Sequence, residues 1–219
     1  MLLLDLDGVV VLELEPPLVT APELILLHQD IGKDLDALGL PVVILTHRSR
    51  REAEQIVGVA RLAPRRLAGV LAAEDLFFAG LRNTPVQMLK RGLRKDLILS
   101  LLERRFGVDR SRTAFIDDRI DNLRDLLAAG LGLAIHAPSI LPAESEFVVT
   151  FDFADAVAAV RDWDQATPRQ DIISLAPRQL AAPLWQRTGL STASHRRHAF
   201  NAARRVGRVV RQAFAGRPT

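Results

Sequence analysis

Apolar residues in the first 160 positions gather into short runs separated by stretches of helical spacing. The runs are "LLLDLD" from Leu2, "PVVILTH" from Pro41, "RLAGVLA" from Arg66, "TAFID" from Thr113, "LGLAIHA" from Leu131 and "EFVVTF" from Glu146. All are short and most are rich in Leu, Val and Ile, the composition and length of buried strands. Helical spacing over Pro22–Leu38, Ser49–Ala60, Lys95–Phe106 and Asn122–Ala129, and again up to Trp163, predicts a helix in each interval. Local chemistry marks the edges: Pro22 suits a first helical turn, Gly39 and Gly130 suit helix ends, and Ser49 with Glu52 forms a capping-box pattern. Strands alternating with helices predict an α/β fold, a Rossmann-like parallel sheet with helices on both faces.

Charge divides the chain more sharply than hydropathy does. Residues 1–164 hold 19 Lys and Arg against 25 Asp and Glu, whereas residues 165–219 hold 10 Arg and a single acid, Asp171. The expected organisation is therefore a catalytic-sized domain over 1–164 and a basic C-terminal extension over 165–219. Within the extension, Pro177 and Pro183 break the chain into a loosely ordered connector. Beyond it, Phe200, Ala203, Val206, Val210, Ala213 and Phe214 repeat near helical spacing among Arg197, Arg204, Arg205, Arg208 and Arg211. Such a basic amphipathic helix can dock on the acidic domain or a second copy, making a homo-oligomer, or meet a membrane surface or nucleic acid; docking is the least demanding. No basic region with an apolar stretch opens the chain and no apolar run is long enough to span a bilayer, so the expected location is cytoplasmic.

The chemistry sits where the apolar runs end. Asp5 and Asp7 are two apart on a strand, so they face one side where the first run enters the Gly8 loop. The second run ends in Thr46 and the fourth in Asp117 and Asp118. In an open parallel sheet these ends share the carboxyl edge, where such folds bind ligands. The chain has no cysteine. Carboxylates crowded there call for a hard cation, and oxygen ligands without thiolate favour Mg2+, whose sphere is commonly shared with a substrate phosphate. His47 and Arg48 follow Thr46 directly and, with the Gly8 loop, are candidate contacts to an anionic, phosphorylated substrate.

In this order the residues resemble the motifs of the haloacid dehalogenase superfamily. "DLDGV" is similar to its first motif, "VVILT" to its second and "FIDDRIDN" to its fourth; Lys95, or alternatively Lys90, stands where the basic third motif belongs. The resemblance covers about residues 1–160 and implies a Mg2+-dependent phosphatase. It implies that Asp5 is the nucleophile and Asp7 the acid and base, that Thr46 bonds the transferring phosphoryl group, and that Lys95 neutralises charge. It further implies metal ligation by the Asp5 carboxylate, the Asp7 carbonyl and the Asp118 carboxylate, with Asp117 and Asn122 in support. The segment "VVVLELEPP" after Gly8 is more apolar than the family's usual flap, and neither inter-motif gap has room for a large cap domain. The alternative from another class is a non-catalytic binding or scaffolding protein of this fold whose basic tail contacts its partner.

Overall fold

The structure, a computed structural model, describes residues 1–12, 23–62, 65–83, 92–137, 149–166, 169–179 and 184–187. In chain order these form β1 (Leu2–Leu4), β2 (Glu23–Leu26), α1 (Ile31–Leu38), β3 (Val42–Leu45), α2 (Arg50–Val59), β4 (Leu67–Leu71) and α3 (Ala73–Asn83). A 3-10 turn (Lys95–Ile98) leads into α4 (Leu99–Phe106), followed by β5 (Ala114–Asp117), α5 (Ile120–Ala128), β6 (Leu133–His136), β7 (Val149–Thr150), α6 (Phe153–Gln165), β8 (Asp171–Ser174), β9 (Arg178–Gln179) and β10 (Leu184–Arg187).

Six strands make one sheet in the order β4-β3-β1-β5-β6-β8, every pair parallel. Alternate residues of each strand feed opposite faces. Leu2, Leu4, Val42, Ile44, Ala114, Ile116, Leu133 and Ile135 meet α1, α2 and α6, which contribute residues such as Leu35, Ile56 and Val160. Leu3, Val43, Leu45, Phe115 and Ala134 meet Leu76 of α3, Leu99 and Leu102 of α4, and Leu123 and Leu126 of α5. The fold class predicted from the alternation is the one observed, with three helices on each face among the described residues. Burying both faces is what lets the strands read as continuous apolar runs, each fully buried Leu or Ile contributing about 1.5–3 kcal/mol.

Helix caps follow the sequence closely. Ser49 and Glu52 make the reciprocal capping box of α2, and α1 ends on Gly39 in the left-handed conformation, φ 79°. The helix expected over Pro22–Leu38 is realised only from Ile31; Glu23–Leu26 instead forms β2, antiparallel to β10. A partner some 160 residues away decides that pairing, which local periodicity cannot register; Pro22 itself lies outside the described residues. Of the "EFVVTF" run, residues 149–151 are described, and Val149–Thr150 form β7, paired with β9 apart from the main sheet.

The sheet also crosses the compositional boundary expected near residue 164. Asp171–Ser174, expected within a loose connector, is the sixth strand, hydrogen-bonded to β6, and Trp163 donates its indole N–H to the Arg169 carbonyl at 3.0 Å. The sheet therefore continues past the point where the charge of the sequence changes sign. The arginine-rich stretch 196–214 lies outside the described residues. No helix among the described residues is long and apolar enough to cross a membrane.

Candidate active site

From β1 the chain builds outward through β3 to β4, then returns to the other side of β1 with β5 and β6. The carboxyl ends of β1, β3 and β5 therefore surround the point where the winding direction changes, where an open α/β sheet leaves a crevice. Asp5 directly follows β1 and is buried, its backbone N–H donating to the Ile116 carbonyl at 3.0 Å. One carboxylate oxygen accepts the Leu6 N–H at 2.8 Å, and the other lies 2.6 Å from Lys95 Nζ.

Lys95 is the centre of the arrangement. Its ammonium also lies 2.6 Å from Asp117 Oδ2 and 5.1 Å from the centroid of the buried Phe115 ring, with its side chain only 1% exposed. Arg94 fixes the turn that delivers it by a two-pronged bond to Asp96, at 2.9 and 2.7 Å. Burial alone would lower the lysine's pKa, but the two carboxylates outweigh it and the net shift is upward. Burial pushes the Asp5 carboxyl well above the ordinary carboxylate range; Lys95 pulls against this, while Asp117 and Asp7 reinforce it. Lys90, the alternative, lies outside the described residues.

Asp117 has each oxygen bonded twice. Oδ1 accepts the Arg119 N–H at 2.7 Å and Asn122 Nδ2 at 3.2 Å, while Oδ2 accepts Asn122 Nδ2 at 3.0 Å and Lys95. It anchors Lys95 and ties β5 to the start of α5. Asp5, Asp117 and Asp118 each present an oxygen within 4.8 Å of the others', a grouping able to hold a metal ion. Gly8, at φ 71°, backs directly onto Asp118: a Cβ there would overlap its carboxylate and lie 2.7 Å from its Cβ. The absence of a side chain at residue 8 is what lets Asp118 approach.

Thr46 is fully buried beyond β3, with its N–H on the Leu71 carbonyl and its hydroxyl oxygen accepting the Arg48 N–H at 3.2 Å. His47 is exposed at the rim. Crowding of its inner side, helped by the nearby Lys95 charge, pushes its pKa down to about 4. Arg48, considered above as a substrate contact, is bonded through Nε and Nη2 to both oxygens of Asp7.

The segment after Gly8 accounts for its own composition. Val9, Val10, Val11 and Leu12 are all buried; the Val10 and Val11 N–H groups donate to the Leu6 carbonyl at 2.9 Å, and Val10 accepts from Leu27. These residues form a tight core turn rather than a polar flap. The sequence reading missed His136, whose Nε2 lies 3.1 Å from the Asp118 carbonyl oxygen. Its only signal was position, since it ends β6 in register with Asp117 on the neighbouring strand.

No family model matches the sequence, nor does any curated protein. Among solved structures, it is similar to one from Mesorhizobium loti provisionally assigned as a HAD-like phosphatase: 20% identity, 74% of this chain and 85% of that one, TM-score 0.47. A structure from Streptomyces avermitilis, provisionally assigned to the HAD family of hydrolases, is similar at 20% identity over 61% of this chain and 69% of that one, TM-score 0.39. In the chain's own geometry the motif-like segments end β1, β3 and β5 at one edge of the parallel sheet, and the Asp5 and Asp117 carboxylates meet on Lys95.

Proposed function

We propose that the protein is a Mg2+-dependent phosphohydrolase acting on phosphomonoesters through a covalent intermediate on Asp5. The observation that carries this reading is the buried Lys95 held 2.6 Å from both Asp5 and Asp117 at the switch point of the sheet. Structural ion pairs this deep add little stability over apolar replacements, so a buried cation between two carboxylates in a crevice points to chemistry.

The donor set suits the metal. Asp5 and Asp118 offer carboxylate oxygens within reach of one another, no thiolate exists, and Gly8 leaves room for the approach. With the Asp7 carbonyl, these residues would hold Mg2+, which supplies positive charge against the phosphoryl oxygens. An Asp5 carboxylate oxygen attacks phosphorus as the ester oxygen leaves, and Asp7 donates a proton to that oxygen. Water then attacks the phosphorus of the aspartyl-phosphate, giving its proton to Asp7 and freeing Asp5 and inorganic phosphate. Thr46 positions the phosphoryl oxygens, and Lys95 stabilises charge at the nucleophile and in the transition state.

The test is Asp5→Asn, nearly isosteric but a poor nucleophile. Release of phosphate from an aryl phosphate with Mg2+ is expected to vanish while circular dichroism and melting show an intact fold. Turnover surviving in the purified, folded variant would overturn the assignment.

A further inference from the structure

Arg48 and Asp7 form an ion pair that the fold does not need. The loop after β3 is already secured without it: the Ser49–Glu52 capping box starts α2, and Arg50 donates to the Val70 carbonyl at 2.9 Å and pairs with Asp75. The Arg50 N–H also donates to Glu74 at 3.0 Å, and the Ala73 N–H to the Arg48 carbonyl at 2.9 Å. Yet Arg48 Nε lies 2.9 and 3.0 Å from the two oxygens of Asp7, Nη2 adds a further bond, and the two side chains are only 14% and 22% exposed. Arg48 also feels the charge of Asp5, and its own N–H is bonded to Thr46 Oγ1. The guanidinium is thus held by Asp7, within the electrostatic reach of Asp5, on a residue whose backbone meets Thr46.

We propose that Arg48 is a latch shared between Asp7 and the substrate: it occupies Asp7 in the resting site and is drawn away by the incoming phosphoryl anion. A carboxylate with both oxygens in an arginine fork is poorly placed to exchange a proton with a leaving oxygen. Planar, two-pronged recognition serves phosphate as well as carboxylate, so the same fork can pass from one to the other. Binding of the correct anion then frees the acid that its hydrolysis requires. This inference rests on the phosphohydrolase reading and makes Arg48 a positioning residue for Asp7 as well as a contact for the anion.

A double-mutant cycle on the full chain, reading inorganic phosphate binding by calorimetry with Mg2+ present, tests the sharing. Asp7→Asn releases the guanidinium and is expected to tighten phosphate binding about tenfold; Arg48→Ala is expected to weaken it about tenfold. In the double variant the tightening should disappear. Simple removal of a negative charge would instead tighten binding equally with or without Arg48, and that additive result would overturn the latch while leaving the phosphohydrolase reading standing. A wild-type protein that binds no phosphate with Mg2+ would overturn both. Arg48→Lys, which keeps the charge and loses the fork, should bind phosphate with intermediate affinity and replaces Arg48→Ala in the cycle should the alanine variant not fold.

Discussion

Adding one methyl group at Gly8 should separate the cost of a backbone conformation from the cost of a lost ligand. Gly8 sits at φ 71°, and its missing Cβ would overlap the Asp118 carboxylate. Alanine in the left-handed region costs about 1–2 kcal/mol, which lowers the melting temperature of a domain this size by about 2–4 °C per kcal/mol. The second cost falls on the site. A Cβ at residue 8 would lie 2.7 Å from Asp118 Cβ as well as overlapping its carboxylate, so admitting the methyl group must displace the Asp118 backbone, which His136 holds through its carbonyl, and carry the carboxylate away from Asp5. Losing one of two carboxylate ligands should weaken Mg2+ about 10- to 100-fold, comparable to losses on disturbing metal-site supports. Gly39 is the control: it has φ 79° and nothing within 4 Å of its hypothetical Cβ, so Gly39→Ala pays the backbone cost alone. Melting curves without metal should show Gly8→Ala losing at least as much stability as Gly39→Ala, the excess being the clash with Asp118, while Mg2+ affinity in a calorimetric titration should weaken only for Gly8→Ala. Wild-type Mg2+ affinity in Gly8→Ala would refute the assignment of Asp118 as a ligand.

Lys95→Met leaves Asp5 and Asp117 buried without their shared cation, and urea unfolding in the absence of metal should show a loss of about 3–5 kcal/mol; a near-neutral change would mean that the carboxylates are not charged there. Chelation by EDTA should stop hydrolysis and added Mg2+ restore it, whereas activity indifferent to chelation would exclude the metal-dependent mechanism. His28 packs edge-on against Phe151 with its Nε2 buried and without a partner among the described residues, and burial lowers its pKa to about 4. The unfolded chain takes up this proton below about pH 6.5 and the folded chain does not until about pH 4, so stability should fall by about 3 kcal/mol as pH drops through that window. In His28→Phe that part of the pH dependence should disappear; an unchanged profile would assign it to other groups.

The sequence was most readable where local chemistry and burial agree. The strands β1, β3 and β5 are apolar on both faces because both are covered, and their polar last residues stand out against that background. Asp5, Asp7, Thr46, Asp117 and Asp118 could be placed at one edge on that contrast alone, whereas Lys95, with Lys90 as the alternative, was singled out only through the resemblance to a basic third motif before the helix leading into β5. What remained hidden depends on contacts distant in sequence. "ELIL" pairs with Leu184–Arg187, and Ile173 reaches the core only because β8 lies beside β6. No periodicity records either partnership. Arg48 was visible as a cation near the site, but its bond to Asp7 spans 41 positions and two strand ends. His136 carried no motif at all, since it acts through the backbone of Asp118.

Lys95 and Arg48, both paired to acids at the sheet edge among the described residues, differ in how deeply they are held. Lys95 is sealed beneath the crevice, 1% exposed, with one ammonium serving two carboxylates on adjacent strands. Moving it would strand charges in the core, so its position is fixed by the fold. Arg48 is on the open side, several times more exposed, and its partner Asp7 belongs to a loop after β1 rather than to the strand. Water and an arriving anion can both replace part of what the arginine and aspartate give each other, so their separation costs far less. On the phosphohydrolase reading proposed above, a site that holds a nucleophile rigidly yet frees an acid on demand would need one cation of each kind, and the depth of the sheet edge offers both positions.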